Sequence, residues 1–165
     1  MEGLEGKDYA ADLLALKAAN DALRERGKTW LLETLERLCA EVGTPASGAP
    51  GQSALQVGRQ EWEFKVENSV MVGERMGIRY RGRTLLLEIG WPRLPEHGFV
   101  PKQGLARARV SLSQNVMVEP KTVDELILKR SDGEQVEWYG ITEQSPARLI
   151  SEVELRGYLG LLLAD

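Results

Sequence analysis

Residues 70–91 read VMVGERMGIRYRGRTLLLEIGW, and this stretch decides the fold. Two alternating runs flank Arg81-Gly82, a pattern that predicts a β-hairpin with a two-residue turn. A slip of one residue would move every side chain to the opposite face, so the register is well determined. The predicted cross-strand pairs are Tyr80–Arg83, Ile78–Leu85 and Met76–Leu87 on the apolar face, and Arg79–Thr84 and Arg75–Glu88 on the polar face.

The composition is that of a globular protein. The chain has 165 residues, of which 42% are hydrophobic and 28% charged, so it suits one domain or one domain with a small appendage. A single cysteine, Cys39, excludes an internal disulfide framework and fits a reducing compartment. Neither a signal peptide nor an apolar run of about 20 residues is present, so we expect a soluble cytoplasmic protein without a membrane partner.

Charge is distributed unevenly along the chain. The net charge is −4, which argues against a general polyanion binder. Residues 61–112 nevertheless carry nine basic and six acidic side chains, so the middle of the chain is a basic island.

The N-terminal residues predict a pair of helices, at 8–26 and 30–42. Asp8 can cap the first helix, Gly27 sits where it would end, and Thr29 can cap the second. One helix continuing through Gly27 is the alternative, at a cost of about 1 kcal/mol. The apolar stripes contain Leu13, Leu16 and Leu23 in the first helix, and Leu31, Leu35, Leu38 and Val42 in the second.

These features divide the chain into three segments. Residues 1–42 form a helical segment for docking or oligomerisation, and 43–60 form a flexible Gly/Pro linker without periodicity. Residues 61–165 form a domain of antiparallel sheet plus a C-terminal helix. With such a linker the helical segment could dock on its own sheet or on that of another chain.

The sheet domain begins with an alternating strand at Glu61. The strand aromatics Trp62, Phe64, Tyr80 and Trp91 are assigned to the apolar face, and thus to the core. Alternation returns at 104–113, where small alanines predict close approach of a helix, and 116–119 is a further candidate strand.

Residues 122–130 leave strand and helix open. Thr122 and Glu125 resemble a capping box, but Asp132-Gly133 between two apolar runs favours a hairpin. The C-terminal helix has clearer signals, with Ser151 and Glu154 as a capping box. Its two glycines, Gly157 and Gly160, are interpreted as points of close approach to the sheet.

The predicted fold class is therefore α+β. It comprises an N-terminal helical pair, an antiparallel β-sheet of about five to seven strands and a C-terminal helix packed on one sheet face.

Catalytic and metal-binding patterns are missing from the sequence. Nucleophilic triads and zinc sites draw on histidine and cysteine, and only His97 and Cys39 exist. Cys39 lies beside an apolar stripe and is interpreted as a core residue. No glycine-rich phosphate loop lies between a strand and a helix. Nothing in the sequence supports an enzyme, a cofactor or a metal.

Arginines form the one distinctive set of polar residues. Some share the polar face of their strands and others crowd the hairpin tip, so they could bind an anion or an acidic partner. Nucleic acid is possible but not favoured, because sheet binders usually add exposed aromatics for stacking. The alternative is a solvated face of Arg–Glu pairs. The candidate residues are Arg75, Arg79, Arg81, Arg83, Arg107 and Arg109.

The loop at 92–103 is a candidate pocket wall. It contains three prolines and is long enough to be functional. Trp91, His97 and Phe99 are its candidate residues, although the two aromatics could equally pin the loop to the core.

Three functions remain after these exclusions. The first is a non-catalytic interaction module, self-associating through its helical segment as a homo-oligomer or binding another protein. The second is a sheet that binds an anionic ligand or nucleic acid with its arginines. The third is a small-molecule pocket or enzyme under the 92–103 loop, with His97 as acid or base.

Overall fold

The computed structural model describes residues 2–43, 55–100, 104–141 and 148–164, with side chains of the first helix from Tyr9 onward. These described residues form two helices, a short 3-10 turn (Pro95–His97) and seven strands. In chain order the main elements are α1 (Glu2–Gly43), β1 (Gln56–Val66), β2 (Ser69–Tyr80), β3 (Arg83–Trp91), β4 (Ala106–Ser113), β5 (Lys121–Arg130), β6 (Val136–Gly140), β7 (Arg148–Leu149) and α2 (Glu152–Leu163).

The predicted hairpin is confirmed as β2 and β3. Arg81 and Gly82 form its turn with φ of 50° and 80°, the left-handed conformation that a two-residue turn of this kind requires. All five predicted cross-strand pairs are observed.

The sheet is an antiparallel meander in which each strand pairs with the next along the chain, from β1 to β7. The α+β class is thereby confirmed. Residues 122–130 are strand, not helix. β5 pairs with β6, so the favoured prediction of a hairpin is confirmed. Gly133 in the connecting turn has a φ of 68°.

The predicted helical pair is wrong in one respect, because α1 is a single helix that runs through Gly27. A Cβ at this position would lie 2.6 Å from Leu128, and the Gly27 carbonyl accepts a hydrogen bond of 2.9 Å from Trp138 Nε1. Close packing on the sheet therefore accounts for a glycine within the helix, and Thr29 is an interior residue.

Both helices pack on the same face of the sheet. From Leu31 onward the buried residues of α1 share one core with those of α2 and with the apolar face of β2–β6. Ser151 and Glu154 form the predicted capping box at the start of α2. The helices contribute Leu31, Leu32, Leu35, Leu38, Leu155, Tyr158, Leu159 and Leu162 to this core.

Ion pairs fix the second half of α1 in place. Lys28 pairs with Glu74 of β2 at 3.1 Å, and Glu36 pairs with Arg59 of β1 at 3.1 Å. The helical segment therefore docks on its own sheet from about residue 23 onward.

Several boundaries differ from expectation. β1 begins at Gln56, so the last residues of the expected linker belong to the sheet, while 44–54 lie outside the described residues. The expected strand at 116–119 is a turn, in which Asn115 accepts from the backbone N–H of Met117 and Val118.

The glycines of α2 were also misinterpreted. A Cβ on Gly157 or Gly160 would meet no atom within 4 Å among the described residues, so neither glycine marks an approach to the sheet.

Candidate functional site

A bend in the sheet shapes its second face, which the helices leave uncovered. Gly73 and Gly90 are paired across β2 and β3, and a Cβ on Gly73 would clash with the Ile89 carbonyl oxygen. Arg109 Nη2 of β4 also donates to the Lys65 carbonyl of β1 at 3.0 Å. Strands three apart in a flat sheet lie about 14 Å from each other, so the β1–β2 hairpin must curl back over this face.

The curled hairpin brings aromatic residues to this second face. Trp62 and Phe64 pair with Gly73 and Met71, and they form a small cluster with Val66 instead of joining the main core. Their assignment to the apolar face was wrong, whereas that of Tyr80 and Trp91 is confirmed. Because the β1–β2 turn has two residues, counting across it places Trp62 on the face of Arg75, a signal in the sequence that was missed.

Arg75 is held in place by its neighbours on this face, which we call the arginine face. Its guanidinium lies 3.8 Å from the ring centroid of Trp62, a cation–π contact. Its Nε lies 3.0 Å from the side-chain oxygen of Gln60, in the amide orientation that satisfies both groups. Glu88 stands opposite Arg75 but accepts from Trp62 Nε1 at 2.8 Å.

Arg109 is neutralised by two carboxylates. It lies 3.8 Å from Glu88 and 3.7 Å from Glu125, and its guanidinium is 5.5 Å from the Phe64 ring centroid. Of the candidate arginines, Arg109 fits the alternative interpretation, a face on which arginines pair with glutamates.

Arg107 is buried with only 4% of its surface exposed. Burial lowers the pKa of its guanidinium, and attraction to Glu125 and Glu67 opposes that shift. The nearest ion pair, to Glu125, spans 3.9 Å, and Nε has no hydrogen-bond partner in the described part of the chain. An incoming macromolecule could not reach this side chain without moving its neighbours.

A groove opens beside Arg75, where β1, β2 and β3 leave a volume of about 470 Å³. Gly58 and Gly77 are directly paired and form its floor. The same strand pair places Gln56 beside Arg79 at one end and Gln60 beside Arg75 at the other, while Thr84 and Leu86 line the side. We call this the glycine groove. Within the described ranges, neither Arg75 nor Arg79 forms an ion pair, so both remain available to an anion.

The hairpin-tip arginines point elsewhere. Arg81 lies 5.1 Å from the Tyr80 ring centroid, and Arg83 donates to the carbonyl of Ala164 at the end of α2. The structure therefore brings Arg75 and Arg79 together at one groove but does not add Arg81 or Arg83 to it.

The three candidate loop residues have different surroundings. Trp91 is buried in the core beneath the guanidinium of Arg93, whereas Phe99 is 76% exposed. His97 lies in the 3-10 turn, where its Nδ1 accepts from the backbone N–H of Arg93 and Leu94, at 3.2 Å each. These contacts give His97 a role in holding the turn. Residues 101–103 of the loop lie outside the described part.

The first half of α1 extends beyond the sheet. From Tyr9 onward, Leu23 is the first buried residue, and Tyr9, Leu13 and Leu16 are 67%, 50% and 51% exposed. At 100° per residue these three lie on the same side of the helix as Leu23, so the apolar stripe continues past its own sheet. We call residues 9–20 the projecting segment.

The described part of the chain presents neither a metal-binding cluster nor a membrane-spanning helix, and the sequence resembles no known family. Among the described residues no group of three or more His, Cys, Asp or Glu side chains is placed to hold a metal ion. No described helix is both long and apolar enough to cross a membrane. No family model matches the chain, and no curated protein or solved structure is significantly similar to it.

Proposed function

We propose that this chain is a non-catalytic interaction module that associates with a second copy of itself through the projecting segment. The observation that carries the proposal is the continuous apolar stripe on α1, covered by the sheet from Leu23 onward and exposed at Tyr9, Leu13 and Leu16.

The energetics of an uncovered apolar helix face support this proposal. Residues 9–19 rise for roughly 16 Å, and no described element of the sheet covers their stripe. Most helix stability in proteins comes from packing an apolar face, and the projecting segment packs its stripe on no described part of its own chain. A second projecting segment offers the same stripe, and mutual burial stabilises both helices.

A substitution on the stripe tests the proposal. Leu13→Asp places a charge within the proposed contact, and we expect it to convert a dimer into a monomer by light scattering and native mass spectrometry. Leu14→Asp is the matched control, since Leu14 is 69% exposed but lies about 100° away around the helix. If the wild-type protein is still a monomer at a concentration about 100-fold above the micromolar range, the proposed self-association is wrong.

The glycine groove supports a second candidate function, the binding of an anionic ligand. Arg75 and Arg79 are four residues apart on one strand, so their Cα atoms are about 14 Å apart, and the Gly58–Gly77 floor lets a ligand approach the backbone. Arginine forks bind carboxylate and phosphate oxygens well. The net charge of −4 makes a small or short anion a better fit than long nucleic acid.

The test uses a labelled single-stranded oligonucleotide and inorganic triphosphate as probes. Arg75→Gln and Arg79→Gln should each weaken binding several-fold, and the affinity should fall as salt rises. Arg156→Gln on α2 is the control, because that side chain pairs with Glu41 away from the groove. Absence of salt-sensitive binding to either probe would remove this function.

A further inference from the structure

We infer that a cleft at the β6 edge of the sheet binds a small aromatic carboxylate. The glycine groove lies near the β1 edge and this cleft near the opposite one, so the two sites are separate. The volume of the cleft is about 390 Å³, within the range of roughly 300–1,000 Å³ that small-molecule sites span. We call it the tryptophan cleft, and its principal lining residues are Arg26, Trp30, Val136, Trp138, Leu149 and Ile150.

The short length of β7 opens the cleft. β7 has two residues and pairs with the last two residues of β6. The Ile150 N–H then donates to the Trp138 carbonyl at 2.8 Å, and the next residue is the N-cap of α2. No described strand lies beside the first half of β6, so its edge at Val136 remains open between α1 and the start of α2.

The lining of the cleft is largely apolar. Trp138 is 1% exposed, and its Nε1 is bound to the Gly27 carbonyl of α1, so its ring lies on the helix side of the sheet. Trp30 of α1 and Leu149 of β7 border the cleft and are 40% and 46% exposed. An apolar ligand between them would remove this surface from water, which favours binding. A flat aromatic ring suits the face of Trp30, because aromatic rings stack favourably.

Arg26 supplies the charge that selects the ligand. It lies four residues before Trp30, and therefore on the same side of α1. Its Nη1 donates to the Glu134 carbonyl at 2.7 Å, which orients the guanidinium, and it forms no ion pair with any described residue. The other N–H groups of this guanidinium remain for a ligand, and arginine binds a carboxylate through two parallel hydrogen bonds.

Neither acidic residue in the described lining of the cleft cancels this positive charge. The Glu152 carboxylate is already paired with Arg37 of α1. Glu137 precedes Trp138 in β6, so its side chain points to the opposite face of the sheet, where it accepts from the Tyr139 hydroxyl at 3.0 Å. The tryptophan cleft thus combines an apolar lining with one unpaired cation, which is the complement of an aromatic carboxylate.

Titration of the full chain with 2-naphthoate, followed by NMR, tests this inference. The matched neutral probe is 2-naphthamide, which has the same ring system without the charge. The indole N–H signal of Trp30, identified by its loss in Trp30→Phe, should shift saturably, whereas that of Trp62 on the arginine face should not. The carboxylate should bind at least about fivefold more tightly than the amide, because hydrogen bonds between ionised groups are the stronger ones.

Two charge substitutions locate the carboxylate. Arg26→Gln should weaken 2-naphthoate binding at least about fivefold and leave 2-naphthamide binding unchanged. Lys129→Gln is the matched control, because Lys129 is paired with Glu137 across β5 and β6 and removes one positive charge from the opposite face of the sheet. Its affinity for both probes should equal that of the wild type.

The contrary outcomes are distinct. No shift of the Trp30 signal at about 1 mM probe, or a shift confined to Trp62, would overturn the tryptophan cleft as a binding site. Equal affinity for the two probes, or equal affinity of the wild type and Arg26→Gln for 2-naphthoate, would overturn the selection of a carboxylate by Arg26. None of these results depends on the oligomeric state or on the glycine groove, so they test this inference separately from the proposed function.

Discussion

Single residues at the bend of the sheet have little tolerance for substitution. A Cβ on Gly73 would clash with the Ile89 carbonyl and lie 2.8 Å from Gly90 Cα, both of them backbone atoms that cannot rotate away. We expect Gly73→Ala to lower the free energy of unfolding by more than about 2 kcal/mol, because overpacking of this kind forces the backbone to shift. Urea denaturation measures this loss.

Gly58→Ala is the matched control for that substitution. Gly58 also lies in a strand of the curled hairpin, but a Cβ there would meet no described atom within 4 Å. It should change stability by less than about 0.5 kcal/mol. Equal losses in both variants would show that close approach at the bend is not the cause.

The Glu74 carboxylate links the sheet to α1 and makes stability depend on pH. Partial burial pushes the pKa of Glu74 upward, but hydrogen bonds from Lys28 and Arg59 outweigh it, so the pKa lies below its ordinary value. A lowered pKa gives stability that is present above the unfolded-state value of 4.5 and is lost as pH falls through the folded-state value.

Glu74→Gln should therefore be destabilised relative to the wild type by about 1 kcal/mol at pH 7. That difference should shrink towards zero as the pH falls below 4.5 and through the lowered folded-state pKa of Glu74, as measured by urea denaturation at a series of pH values. Glu63→Gln is the control, because Glu63 is exposed and has no ion pair among the described residues. A difference that stays constant with pH would exclude the ion pair as the cause.

At the scale of elements, the sequence predicts structure best where the determining contacts are local. The β2–β3 hairpin was predicted to the residue because its turn and both faces lie within 22 residues. The unbroken α1 was not predicted, since Gly27 is explained by Leu128 and Trp138, about 100 residues away. Local propensity is only a weak guide where tertiary packing decides.

The same distinction separates the candidate site residues. Alternation places Arg75, Arg79, Arg107 and Arg109 on one strand face, but the local pattern does not reveal the bend that buries Arg107 and pairs Arg109 with two carboxylates. The projecting segment was visible only as part of an apolar stripe. Which half of the stripe the sheet covers depends on where β5 ends.

Alanine substitutions at Gly27 in α1 and Gly160 in α2 should affect stability differently. Alanine is favoured over glycine by about 1 kcal/mol in a helix, so Gly160→Ala, which faces open space, should stabilise the protein by about 0.5–1 kcal/mol. At Gly27 the added methyl meets the buried Leu128 side chain, and overpacking costs about 1–3 kcal/mol. Gly27→Ala should therefore be neutral to destabilising in thermal denaturation. Equal stabilisation by both would mean that Leu128 moves aside freely.

At the scale of the whole molecule, α1 has two halves with different roles. The half after Leu23 completes the core through Leu31, Leu32 and Leu35, and it is tied to the sheet by the pair of Lys28 with Glu74. The half before Asn20 contributes no described side chain to that core. Removing one half should therefore affect assembly, and removing the other should affect folding.

Deleting residues 1–17 tests this division. The shortened chain should keep its sheet and the buried part of α1, and its melting temperature should not depend on protein concentration. The melting temperature of the full chain should rise with concentration, because association stabilises the folded state by mass action. Deleting residues 1–43 should prevent folding, because it uncovers the apolar face of the sheet. If the full chain and the 18–165 chain melt alike at every concentration, the projecting segment has no part in assembly.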